Sequence, residues 1–96
     1  MKNVEVELYL NQFIKFFDNN PNDLMNLIGD LGKEEFYLKV KEQSYLNVEN
    51  GEEPSLTQKQ LIAIVVKMKK RDINDDEVKL FEKIFKDTKF GPLCLN

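Results

Sequence analysis

Two acidic stretches have the residue types and spacing with which a calcium-binding loop begins. Residues 18–22 and 72–76 each place Asp or Asn at alternate positions. Such a loop needs a glycine at its sharp turn and a bidentate glutamate at its twelfth position. In the first stretch those positions hold Asp23 and Gly29, and in the second the twelfth position holds Lys83. Neither stretch can complete a calcium site, and both fit better as helix starts.

The chain lacks the residues on which most catalytic and metal sites depend. It has no histidine and one cysteine, Cys94, so the usual Cys/His zinc sites are excluded. With four glycines it has no phosphate-binding loop, and no serine or threonine lies in a nucleophile-elbow sequence. We therefore expect a protein that is not an enzyme and has no catalytic residue, metal site or cofactor.

A basic cluster near residue 70 and a lysine row further along the chain are typical of a surface that binds a polyanion. Such a surface would hold a phosphate backbone or an acidic partner. Arginine, which favours base readout, accounts for one of fourteen basic residues, and the acids at 75–77 would repel DNA. Nucleic-acid or polyanion binding therefore stays an alternative function. Its candidate residues within 67–86 are Lys67, Lys70, Arg71, Lys79, Lys83 and Lys86.

Aromatic and aliphatic side chains offer a second kind of surface. Seven Phe and three Tyr are too many for a chain of 96 residues to bury completely. The segment 89–96 is apolar and cannot be helical through Gly91-Pro92, so we predict an extended tail. This tail either covers the core or docks into a partner or a second copy. The candidate partner-binding residues are Tyr9, Phe16, Tyr45, Phe90, Leu93 and Leu95.

Helices with clear start signals must position these residues. Leu56 to Met68 is the most apolar run, with Thr57 and Gln60 spaced as a capping box. Its apolar residues fall on more than one side, which predicts a central core helix covered from several directions. Asn74 and Glu77 repeat the box and predict a last helix at about 75–87, with Val78, Phe81, Ile84 and Phe85 buried.

The first half of the chain is less regular. Helical spacing favours one helix over about 4–18, followed after Pro21 by a short helix that Asn20 caps and Gly29 ends. Residues 33–49 fit a helix, because the bend that two strands would need lacks Gly, Asn or Asp. Short strands at 4–9 and 35–49 remain the alternative.

These patterns together predict a single all-α domain spanning residues 1–96. We expect a compact bundle of about five helices built on the last two, with an extended C-terminal tail; an α+β fold is the alternative. No apolar run approaches the roughly 18 residues of a membrane span, and no leader sequence is evident, so we expect a cytoplasmic protein. The expected function is that of an adaptor, inhibitor or regulator that binds a protein partner, with self-association left open.

Overall fold

Five helices form the architecture of the residues that the structure describes. The computed structural model describes residues 2–29 and 31–88, with side chains at 3–29 and 31–83. Within those residues there is no strand, so the all-α prediction is confirmed and the α+β alternative is wrong. The helices are α1 (Lys2–Asn19), α2 (Pro21–Ile28), α3 (Lys33–Glu49), α4 (Gln58–Lys69) and α5 (Asp75–Thr88). The predicted tail, with Phe90, Leu93, Cys94 and Leu95, lies outside the described residues.

Both predicted capping boxes are present. The Thr57 hydroxyl accepts the Gln60 N–H at 3.1 Å, and the Thr57 N–H donates to the Gln60 side-chain oxygen at 3.0 Å. Asn74 and Glu77 make the same reciprocal pair at 2.9 Å in both directions. Each box satisfies two backbone N–H donors at a helix start, which explains why α4 and α5 begin where the sequence predicts.

The start of α2 differs from the prediction in one contact. Pro21 is its first residue and Gly29, with φ of +61°, ends it, as expected. Asn20 lies at the boundary, but its side chain makes no cap. Instead the Asn20 amide donates to the Phe16 carbonyl at 2.9 Å. The Asn20 side chain therefore closes the last turn of α1, while its backbone carbonyl accepts the first N–H groups of α2, those of Asp23 and Leu24.

The core is centred on the antiparallel pair of α1 and α3. The centroids of the Phe13 and Phe17 rings lie 5.8 and 6.2 Å from that of the Phe36 ring. At the other end of the pair, the Lys41 Nζ lies 3.2 Å from the Glu7 Oε1 and forms an ion pair with it. Offset and edge-to-face ring contacts of this kind add stability beyond burial alone. The buried core cluster comprises Tyr9, Leu10, Phe13, Phe17, Leu27, Ile28, Phe36, Val40, Leu56, Leu61, Val65 and Phe81.

Helix α4 is not the enclosed central rod that its apolar sequence predicts. It buries Leu61 and Val65, while the Ile62–Val66 row is half-buried and Ala63 is exposed. The expectation of a bundle built on the last two helices is therefore wrong. The large aromatic side chains of α1 and α3 fill the interior, and α4 contributes one face to it.

Helix α5 buries Phe81 as predicted, whereas Val78 is half-buried. The predicted burial of Ile84 and Phe85 concerns side chains outside those that the structure describes. In the described part of the chain, no helix combines the length and the apolar character that crossing a membrane requires.

Candidate functional site

A groove of about 600 Å³ runs along the outer surface between α3 and α4. Its floor is aliphatic, formed by Leu46 of α3 and by Ala63, Ile64 and Met68 of α4. Leu46 is 51% exposed, so part of this aliphatic floor is open to water. We call this feature the α3–α4 groove. The described residues that line it are Glu35, Lys39, Glu42, Gln43, Leu46, Lys59, Gln60, Ala63, Ile64, Lys67 and Met68.

The small side chain of Ala63 is the local reason that the groove is open. Ala63 is the only alanine in the sequence, and it lies between Lys59 and Lys67 on the α4 wall. At 3.6 residues per turn these three positions follow one another along one side of the helix. Any larger apolar residue at position 63 would occupy the space that the groove now offers to solvent.

Charged side chains line both rims. The α4 rim carries Lys59 and Lys67, and the α3 rim carries Glu35, Lys39 and Glu42 in alternation. Within the part of the chain that the structure describes, none of these five has an ion-pair partner, although other charges pair across the fold. The rim charges are thus available to a molecule that lies in the groove.

An amide pair beneath the groove fixes its two walls. Asn47 of α3 is 3% exposed, and its side chain exchanges two hydrogen bonds of 2.9 Å with the Gln60 side chain of α4. Gln60 also accepts the Thr57 N–H, so the cap of α4 and the contact to α3 share one side chain. Nearby, the buried Ser44 hydroxyl donates to the Pro54 carbonyl at 2.6 Å. Buried and satisfied amides of this kind hold one arrangement of the helices.

A second feature lies on the other side of α4, where a carboxylate joins α4 to α5. Glu77 is 8% exposed. Its carboxylate accepts two hydrogen bonds from the Arg71 guanidinium, at 2.9 and 3.2 Å, and forms an ion pair with the Lys69 ammonium. The bonds from Arg71, more than those from Lys69 and the Asn74 N–H, lower the pKa of Glu77 from 4.5 to about 2. They outweigh burial, which acts in the opposite direction.

The basic residues predicted to bind a polyanion do not form one face. Arg71, Lys79 and Lys83 border a depression of about 550 Å³ beside α5, whereas Lys67 lines the α3–α4 groove. Lys67 and Lys69 are two residues apart, so they lie on nearly opposite sides of α4. Lys67 therefore lines a different feature from Arg71, Lys79 and Lys83, and polyanion binding by these residues stays a prediction.

The remaining basic candidates are divided between other roles. Arg71 is paired with Glu77, and Lys83 lies 3.7 Å from Asp23. Lys70 ends α4 in the left-handed conformation, with φ of +59°, and lines neither feature. The Lys86 side chain is outside those described. The depression beside α5 thus presents lysines together with acids rather than a purely basic surface.

The aromatic candidates also fail to assemble on one surface. Tyr9 is 1% exposed, and its hydroxyl accepts the Leu56 N–H at 3.1 Å. The prediction that Tyr9 contributes to an exposed partner-binding face is therefore wrong. Phe16 is half-buried against the core, with its ring 5.1 Å from that of Phe17. Tyr45 is half-buried near the far end of α3. The described aromatic side chains serve mainly the interior.

Sequence reasoning did not find the α3–α4 groove. Its one sequence signal is an alanine in an otherwise bulky apolar run, next to lysines spaced along one helical side. That signal has no meaning until the packing of α3 on α4 is known.

Within the described residues there is also no group of three or more carboxylate or cysteine side chains that could hold a metal ion. No protein-family model, curated protein or solved structure matches the chain.

Proposed function

We propose that this chain is a small, non-enzymatic protein-interaction module, and that it binds a protein partner through the α3–α4 groove. The proposal includes a role as adaptor, inhibitor or regulator in the cytoplasm. Cys94 is the single cysteine, so the chain cannot form an internal disulfide, and cytoplasmic proteins rarely have one. The observation that carries it is the groove itself: an open aliphatic floor flanked by charges that have no ion-pair partner among the described residues.

Two physical properties of the groove support protein binding. A partner that removes the floor of Leu46, Ala63, Ile64 and Met68 from water lowers the free energy of the complex. The walls of the groove are pre-organised by the Asn47–Gln60 amide pair, which reduces the conformational entropy lost on binding. The flexible Met68 side chain also adapts well to the side chains of a partner.

The test is affinity capture from the native host with three baits compared quantitatively. They are the unaltered chain, Ala63→Trp, which fills the groove, and Asn11→Trp, a matched control on the exposed outer side of α1. We expect a protein that the unaltered chain and the control capture and that Ala63→Trp loses. Titration of that purified protein should then show affinity at least about tenfold weaker for Ala63→Trp.

Circular dichroism of the three baits must show equal helicity. A loss of capture by Ala63→Trp can then be attributed to the filled groove and not to a change in the fold. If every captured protein binds Ala63→Trp as well as the unaltered chain, the groove is not the partner-binding surface and the proposal is wrong.

A further inference from the structure

We infer that the ligand of the α3–α4 groove is an amphipathic α-helix of about three turns, with acidic residues along the edge that faces α4. This inference rests on the proposed function and specifies the kind of partner segment that the groove accepts.

The shape and lining of the groove select a helix over other peptide conformations. An added strand needs an exposed sheet edge, and residues 2–29 and 31–88 contain no strand. A polyproline segment needs slots between aromatic side chains, and none of the described residues that line this groove is aromatic. Two helical walls with an aliphatic floor are the setting in which the apolar stripe of a third helix packs, as ridges enter grooves.

The length of the groove sets the length of the ligand. The α3 wall extends from Glu35 to Leu46, which is roughly 16 Å of helix at about 1.5 Å per residue. A partner helix covers that distance in about eleven residues, or three turns. Its apolar stripe then needs residues at positions i, i+3 or i+4, and i+7 to contact Leu46, Ile64 and Met68.

The two rims carry different charge patterns, and these orient the ligand. The described charges of the α4 rim are Lys59 and Lys67, separated by about 12 Å along the helix axis. Acidic residues seven or eight positions apart on one edge of the ligand would meet both. The α3 rim alternates Glu35, Lys39 and Glu42, so the other ligand edge needs an acid between two bases. Rim charges mainly set orientation and association rate, and the aliphatic floor supplies most of the affinity.

The test selects binders from a display library of random 15-residue peptides against the full chain, with Ala63→Trp for counter-selection. We expect the enriched peptides to share an apolar stripe at helical spacing and acids on one edge. Synthetic copies should gain helicity on binding, seen by circular dichroism. They should bind Ala63→Trp at least about tenfold more weakly, since one filled hot-spot pocket costs at least that much.

A charge exchange tests the orientation. The variant Lys59→Glu/Lys67→Glu should bind the acidic-edge peptides about three- to tenfold more weakly and should prefer copies with lysine on that edge. The matched control is Lys15→Glu, which changes an exposed lysine on α1. It should leave both affinities unchanged.

The remaining outcomes would overturn the inference. A helical ligand is excluded if the enriched peptides lack helical spacing, or if the unaltered chain enriches no peptide more strongly than Ala63→Trp does. The proposed function would survive either result, provided that capture of a protein still depends on the groove. A tenfold rise in peptide affinity in the full chain with Leu93→Asp and Leu95→Asp would show that the chain's own C-terminal residues occupy the groove. A dimer that Ala63→Trp converts to a monomer would identify a second copy as the occupant.

Discussion

Replacing Glu77 by glutamine tests whether the ion-pair cluster at the α4–α5 junction stabilises the fold. Glu77 is almost fully buried and holds Arg71, Lys69 and the Asn74 N–H together. Glutamine keeps the shape of the side chain and one oxygen that can accept the Asn74 N–H. It removes the charge to which both cations are bound, so its effect isolates the electrostatic part of the cluster.

The size of the effect follows from the pKa. A decrease in the pKa of Glu77 from 4.5 to about 2 corresponds to about 3 kcal/mol at roughly 1.36 kcal/mol per unit. The Arg71 side chain is 51% exposed, so water and salt screen the attraction, and we expect a loss of about 1–2 kcal/mol at pH 7. Because the pKa of Glu77 is lower in the folded chain, this stabilisation is complete above pH 4.5 and is lost as the pH falls toward 2.

The assay is urea unfolding followed by circular dichroism at fixed ionic strength. The difference in unfolding free energy between the unaltered chain and Glu77→Gln should be about 1–2 kcal/mol at pH 7 and should shrink by more than half near pH 3. The control Glu82→Gln changes an exposed carboxylate on the same helix and should shift stability by less than about 0.5 kcal/mol. A Glu77→Gln difference that is independent of pH would refute the electrostatic reasoning.

Other predictions test the remaining contacts, each by urea unfolding unless stated. Tyr9→Phe leaves the buried Leu56 N–H without its acceptor and should cost about 1–2 kcal/mol; unchanged stability would exclude that bond. Asn47→Ala breaks the amide pair with Gln60 and should cost about 1–3 kcal/mol, whereas a loss below about 0.5 kcal/mol would contradict a structural role for the pair. Lys70→Gly relieves the left-handed backbone at φ of +59° and should add about 0.5–1 kcal/mol; a decrease would count against this conformation. In a fluorescence anisotropy titration with duplex DNA at low salt we expect no saturable binding, because acids accompany the lysines beside α5. Salt-sensitive binding that charge reversal of those lysines removes would instead support the polyanion alternative.

Helix boundaries were predictable because their signals are local. The reciprocal bonds of Thr57 with Gln60, and of Asn74 with Glu77, join residues three positions apart, so the sequence places both partners together as soon as a turn of helix forms. The same holds for Gly29, which ends α2 in a conformation that glycine adopts at little cost. Helical spacing likewise favoured a helix over 33–49, which matches Lys33–Glu49.

Burial was harder to predict, because an apolar pattern shows which side of a helix turns inward but not which helix the others surround. The run at Leu61–Val65 looks more central than α1, yet the aromatic side chains of α1 and α3 fill the interior. Tyr9 illustrates the same limit. Its partner, the Leu56 N–H, is 47 positions away in sequence, and no local rule connects them.

The candidate site was decided by tertiary structure alone. The sequence determined the helices, their starts and their apolar sides, because these depend on interactions across one turn of the backbone. It could not place Ala63 opposite Leu46, or set Lys67 and Arg71 on different surfaces, because those positions depend on how whole helices pack. A groove is the space that two packed surfaces leave between them, and that space exists only after the helices of the fold have packed together.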